Sequence, residues 1–176
     1  MSTTTGERRH AYPGPDQVVT RAAIVLGALT AIIAAQAAGT LLAGWFQGLL
    51  VALAVLVAVR PESTGGVVLL AGLAYVWSTV PDPLSPLVLL VAAGMVLVHV
   101  GALVAAQGPA RMLLDRAQTA RWVLRGGMLW VAAAVVWSLD LLADDLPGGR
   151  LAYAVGLTLL MLLAVAATWL LVPRRA

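Results

Sequence analysis

The chain has no cysteine, no lysine and a single phenylalanine, and only 11% of its 176 residues are charged. Absence of cysteine excludes disulfides, thiolate metal sites and cysteine nucleophiles. An average soluble domain carries about 25% charged residues, so the scarcity here leaves too little polar surface for a folded domain in water. Because lysine is missing, all eleven basic residues are arginine, set against eight acids. The pI of 10.2 reflects few acids, with a formal net charge of only +3. Nucleic-acid binding needs a basic patch on a polar surface, so no nucleic-acid partner is expected.

What fills the sequence is apolar: 61% hydrophobic residues and a mean hydropathy of +0.95. The expected class is an all-α integral membrane protein of one domain. Residues 1–20 are polar, carry Gly6, Pro13, Gly14 and Pro15, and read as a flexible cytoplasmic tail before a membrane domain over 21–176. From Ala22 to Val59 no charge occurs, a length nearly twice the ~20 residues that cross a bilayer core of about 30 Å. Gly39 and Gly44 permit a turn, and Trp45 with Phe46 suits an interface, which divides the run into a hairpin. The expected spans are 22–39, 42–59, 66–80, 87–106, 123–142 and 151–172. The third is short, and Pro81, Pro83 and Pro86 close it off from the fourth.

Arginine placement selects six spans over five. With the N-terminus inside, Arg8, Arg9, Arg21, Arg60, Arg111, Arg116, Arg121, Arg125, Arg174 and Arg175 all face the cytoplasm, leaving Arg150 outside with Asp82, Asp140, Asp144 and Asp145. A single span over 22–59 would put the tail and the 107–125 cluster on opposite sides. Both termini are therefore expected in the cytoplasm, and the chain in a plasma (inner) membrane. A secretory signal ending at Ala35, Gln36, Ala37 is the competing reading of the first span, and the apolar sequence after it argues against cleavage there. Trp45, Trp77 and Trp137 fall near the outer face, Trp122 and Trp169 near the inner one.

Helices associate in lipid through close backbone approach at small residues. Ala23, Gly27, Ala31, Ala35 and Gly39 form a ridge at four-residue spacing, and Gly44, Gly48 and Ala52 continue the pattern in the second span. These two ridges are expected to pack as a tight hairpin.

Candidate chemistry is sparse. His99 is the ionisable group deepest in a span, and intramembrane ionisable residues are functional candidates by default. Haem would need a second axial ligand, and His10 lies in the tail; a proton path would need further acids or histidines within the spans. His99 is therefore expected to bond a neighbouring helix, as are the intramembrane polar residues Gln36 and Gln47. Asp140, Asp144 and Asp145 lack a defined metal loop. Ser78, Thr79 and Ser85 are too far from His99 to form a nucleophile and base. No metal, no cofactor and no enzymatic activity are expected.

Residues 107–125 read as a short inner helix begun by Pro109, with Arg111, Arg116, Arg121 and Arg125 disposed for anionic lipid head groups or an acidic partner. Topology alone would also account for those arginines. The stretches His99-Val100-Gly101-Ala102-Leu103, Gly108-Pro109-Ala110-Arg111 and Arg121-Trp122-Val123-Leu124-Arg125 resemble small actinobacterial multi-pass membrane proteins often encoded beside a MoxR-type ATPase and von Willebrand-A-like proteins. That resemblance covers about a third of the chain and implies an accessory role in a membrane complex. The expected function is thus a non-enzymatic accessory or scaffold subunit of a bacterial membrane complex, with the lipid bilayer and other membrane or cytoplasmic proteins as partners. The alternative is a small transporter built of inverted three-helix halves.

Overall fold

The uncharged run from Ala22 to Val59 does break in two, and Gly39 is where it breaks. In a computed structural model that describes residues 15–61, 64–82, 84–106 and 116–144, Gly39 has φ +92°, a left-handed conformation open to a residue without Cβ. Its N–H donates to the Gln36 carbonyl at 2.9 Å, and the Thr40 N–H donates to Ala35 at 3.1 Å. This pair of bonds is a Schellman motif and ends helix α1, Pro15–Ala37. Pro15 opens α1 at a position where its missing N–H costs nothing, and Asp16 in the first turn complements the helix dipole.

Four further helices follow: α2 Gly44–Val59, α3 Gly65–Ser78, α4 Val88–Ala105 and α5 Arg116–Asp144. Among the described residues there is no strand. Three helices are long and apolar enough to cross a membrane: Asp16–Ala37 within α1, α4, and Arg116–Leu142 within α5. α2 and α3 are apolar and shorter.

The helices alternate in direction. Ile24 of α1 lies against Gly101 of α4, while Ala31 lies against Gly94, so α1 and α4 run antiparallel. Gly66 at the start of α3 is near both Val57 at the end of α2 and Ala102 of α4. On α5, Gly126 sits against Val96 and Val100, and the Trp137 indole N–H donates to Leu84 O at 2.9 Å. One end of the bundle thus gathers the start of α1, the end of α2, the start of α3, the end of α4 and the start of α5. We call it the arginine end, because Arg21, Arg60, Arg116, Arg121 and Arg125 lie toward it. At the opposite end the Thr40 and Thr79 hydroxyls are 2.6 Å apart, and Gly39 abuts Pro81.

The core lies where α1 through α4 converge. Ile24, Val57, Leu69, Leu73, Val76 and Val98 are fully buried, with Ala28, Ala31 and Ala35 filling the narrow places between them. Large apolar side chains such as Val18, Leu26, Ile33, Leu49, Val67 and Leu90 face outward. A continuous apolar exterior is the surface a bilayer accepts and water does not.

Four expectations are revised. The segment read as a tail to residue 20 is helical from Pro15 onward; residues 1–14 lie outside the described residues. The third span was placed at 66–80, and α3 stops at Ser78, short of Pro81. Residues 116–125 are no separate inner helix: they form the first turns of α5, which runs unbroken to Asp144, because nothing between Arg116 and Asp144 breaks a helix except the tolerated pair Gly126 and Gly127. Finally, the α1 ridge does not pack on α2. Gly27, Ala31 and Ile24 meet Gly94, Val98 and Gly101 of α4, while Gly44 and Gly48 have nothing within 4 Å of where a Cβ would stand. The physical reason is complementarity: Gly94 and Gly101 of α4 let the two backbones come together, whereas Gly44 and Gly48 lie on the exposed face of α2.

Replacing Gly27 by valine would drive a Cβ to within 2.6 Å of the Gly94 carbonyl oxygen and 2.8 Å of the Leu97 Cβ. Overpacking of this kind costs about 1–3 kcal/mol. Gly48→Ala, in open space, is expected to stay within about 0.5 kcal/mol of the parent. Tryptophan-fluorescence unfolding in mild detergent checks both, and equal stability of the two variants would show that the α1–α4 approach is not limiting.

Candidate functional site

Polar groups collect at the two ends of the bundle, and α4 carries a single polar side chain, His99. At the arginine end, the Arg21 Nη1 donates to the Val59 carbonyl at 3.3 Å, reaching from the second turn of α1 to the last residue of α2. A cation at a helix C-terminus satisfies a carbonyl that the helix leaves open and meets the negative end of its dipole. The Arg21 Nε has no partner. One turn earlier Gln17 is fully buried, and neither its Nε2 nor its Oε1 is hydrogen-bonded. Sequence reasoning passed over Gln17, although a glutamine four residues before an arginine at the head of an apolar helix places both on one face.

At the opposite end, the Gln36 amide donates to Gln47 Oε1, and the Gln47 amide donates to Leu42 O at 3.2 Å. Both glutamines therefore tie the α1–α2 turn together across its base. The Thr79 hydroxyl, bonded to Val76 O at 2.8 Å, links that turn to the end of α3. Three aromatic rings mark the same end: Trp45 and Phe46 are 5.7 Å apart edge to face, and Phe46 and Tyr75 are 5.8 Å apart. Edge-to-face pairing is favoured by the ring quadrupoles, and such rings suit the membrane–water boundary.

Of the other predicted positions, Gly27, Ala31 and Ala35 lie in the core, Gly39 forms the turn, and Gly44 and Gly48 lie on the open face of α2. His99 is exposed on α4 and has no hydrogen bond among the described residues. Arg116, Arg121 and Arg125 are exposed on α5; Arg121 Nε bonds Ala117 O of its own helix at 3.3 Å, and the Arg125 guanidinium lies 5.2 Å from the centre of the Trp122 ring. Arg111 and the span predicted at 151–172 lie outside the described residues. Sequence reasoning gave no role to Trp130, whose indole N–H donates to Leu89 O at 2.9 Å. With Trp137 two turns later on the same face, it fastens α5 to α4.

Among the described residues no group of three or more histidine, aspartate or glutamate side chains is placed to hold a metal ion. Ser78 bonds its own helix at Tyr75 O, and Ser85 accepts from the Leu87 N–H, both at the end away from Arg21. The described geometry builds helix contacts and bundle ends. No family model matches the chain, and neither a curated protein nor a solved structure is similar to it.

A double-mutant cycle on Gln36→Leu and Gln47→Leu measures the turn bond. Interhelical polar pairs in membrane proteins couple by about 0.6 kcal/mol, with a maximum near 1.7. Coupling in that range is expected from unfolding in detergent, and additive single effects would mean that the pair does not fasten the turn.

Proposed function

We propose that the chain is a six-span accessory or scaffold subunit of a bacterial plasma-membrane complex, with both termini in the cytoplasm and 151–172 as its sixth span. The observation that carries this is the gathering of arginine at one end of the bundle. Arg21, Arg60, Arg116, Arg121 and Arg125 lie toward that end, with Asp16 among them, and Asp82 and Asp140 lie toward the other. Arginine-rich ends are retained in the cytoplasm, which orients α1 outward and, by alternation, α5 outward as well. A sixth apolar segment then brings Arg174 and Arg175 back to the arginine side.

Partner contact in this reading uses the exposed helix faces and the arginine-bearing segment from Arg111 to Arg125. The described serine and threonine hydroxyls are largely taken up in turns and back-bonds, such as Thr30 to Leu26 O and Ser138 to Ala134 O. The resemblance at residues 99–103, 108–111 and 121–125 implies the same accessory role in a membrane complex.

A transporter of inverted halves is the second reading, and one observation favours it. α1 and α4 would be equivalent helices of the two halves, and they meet antiparallel at Gly27 and Gly94, as a two-fold axis in the membrane plane requires.

The native absence of cysteine makes topology directly testable. With single cysteines introduced at Ser85 and Thr64, a membrane-impermeant maleimide is expected to label Ser85→Cys in intact cells and Thr64→Cys only after lysis. The reverse pattern overturns the orientation. Arg111→Ala with Arg121→Ala is expected to retain this pattern and lose co-purifying proteins, measured by mass spectrometry after mild-detergent extraction. A protein that purifies alone and moves a solute in proteoliposomes would replace the scaffold with the transporter.

A further inference from the structure

Two side chains that the bundle leaves open meet at one level of it. Gly126 of α5 is seated on α4, where an added Cβ would come within 2.9 Å of Val100 Cγ2 and 3.1 Å of Val96 Cγ1. Those valines stand three residues before and one residue after His99, and Arg125 directly precedes Gly126. His99 and Arg125 therefore occupy the same depth, and both are exposed. That depth is six residues from Ala105, the last of α4, or roughly 9 Å of helical rise.

Their direction follows from helix geometry. Val96 and Val100 point to α5 and Ala102 points to α3, so at 3.6 residues per turn His99 projects between those two helices. Because α5 runs antiparallel to α4, Arg125 projects from the same side of the pair. Among the described residues α3 and α5 make no contact, so there Ala92, Met95, His99 and Leu103 floor a groove between them.

Helical side chains lean toward the N-terminus of their own helix. Arg125 accordingly leans toward the arginine end, where its guanidinium lies over Trp122, one turn earlier. His99, on a helix of opposite direction, leans the other way and lies deeper. A cation near the interface and an imidazole some ångströms below it match the spacing of a phosphate and an acyl ester carbonyl in one lipid. Charge favours an anionic headgroup: Arg116 and Arg121 lie nearer the start of α5, at the arginine end, and the described part of that helix has no acid before Asp140.

We propose that the α3–α5 groove holds an anionic glycerophospholipid of the leaflet at the arginine end. Its phosphate sits on Arg125, an ester carbonyl accepts a hydrogen bond from His99, and an acyl chain lies along the α4 stripe. This rests on α4 and α5 crossing the bilayer and not on the scaffold role, so lipid retention and partner loss are read separately.

The test is native mass spectrometry of the full-length protein with three lipids of equal chain length: phosphatidylglycerol, phosphatidylcholine and ether-linked phosphatidylglycerol. Phosphatidylglycerol is expected to be retained best, and Arg125→Gln to reduce its binding about tenfold, the loss of one charge-assisted bond. His99→Leu is expected to weaken the ester lipid by roughly fivefold and to leave the ether lipid unchanged, a difference that a merely structural role for His99 would not produce. Equal binding of ester and ether lipids by the parent, or of the two headgroups, overturns the proposal. A photoreactive residue in place of Leu103 gives an independent readout in native membranes: a lipid adduct supports the assignment, and cross-linking to this chain or to another protein overturns it.

Discussion

The structure depends on the approach of two backbones where α1 crosses α4. At Gly27 and Gly94 the helices are so close that a Cβ on Gly27 would stand 2.6 Å from the Gly94 carbonyl oxygen. In lipid there is no hydrophobic gain from bringing two apolar helices together, so association rests on dispersion and on how many atoms reach contact distance. Glycine at both positions maximises that number. Everything else is arranged around this crossing: Ile24 and Val98 pack beside it, α2 and α3 close over α1 and α4, and among the described helices α5 attaches to α4 alone.

Helix periodicity and turn chemistry were legible in the sequence; partners were not. Gly39 was marked as a turn by its place in an uncharged run too long for one helix, and it takes up the left-handed conformation. The ridge Gly27, Ala31, Ala35 is equally visible, but nearness in sequence points to Gly44 and Gly48 as its mate, and the mate in space is Gly94 of α4. Small residues on both α2 and α4 offer the same local signal. What separates them is the shape of the rest of each face, which depends on all four helices together. The start of α5 was missed for a related reason: Arg116, Arg121 and Arg125 read as a loop-borne cluster when weighed by charge, but helix continuation is decided by backbone hydrogen bonds, and arginine is a good helix former.

The candidate polar residues follow the same division. Gln36 and Gln47 were readable as a pair needing partners in an apolar setting, and they partner each other across the turn. His99 was readable as a group out of place, though its exposure between α3 and α5 depends on the α4 register that Gly94, Gly101 and Gly126 set. Gln17 shares a helix face with Arg21, a signal of proximity and not of burial, since a glutamine in the first turn of a helix ordinarily meets water. Its complete burial is a property of the assembled bundle and not of its own helix.

Stability is unevenly distributed as a result. α1 through α4 share a core in which each helix touches the other three. α5 is held by the seat of Gly126 on two valines and by the indole bonds of Trp130 and Trp137 to Leu89 and Leu84, with most of its apolar side chains facing outward. Each indole bond contributes on the order of 1 kcal/mol, so displacing α5 costs far less than separating α1 from α4. Elements that respond to ligands and partners come from this weakly held end of a structure. The helix that carries Arg116, Arg121 and Arg125 is thus also the one whose position an interaction at those arginines can change without disturbing the glycine crossing that holds the bundle together.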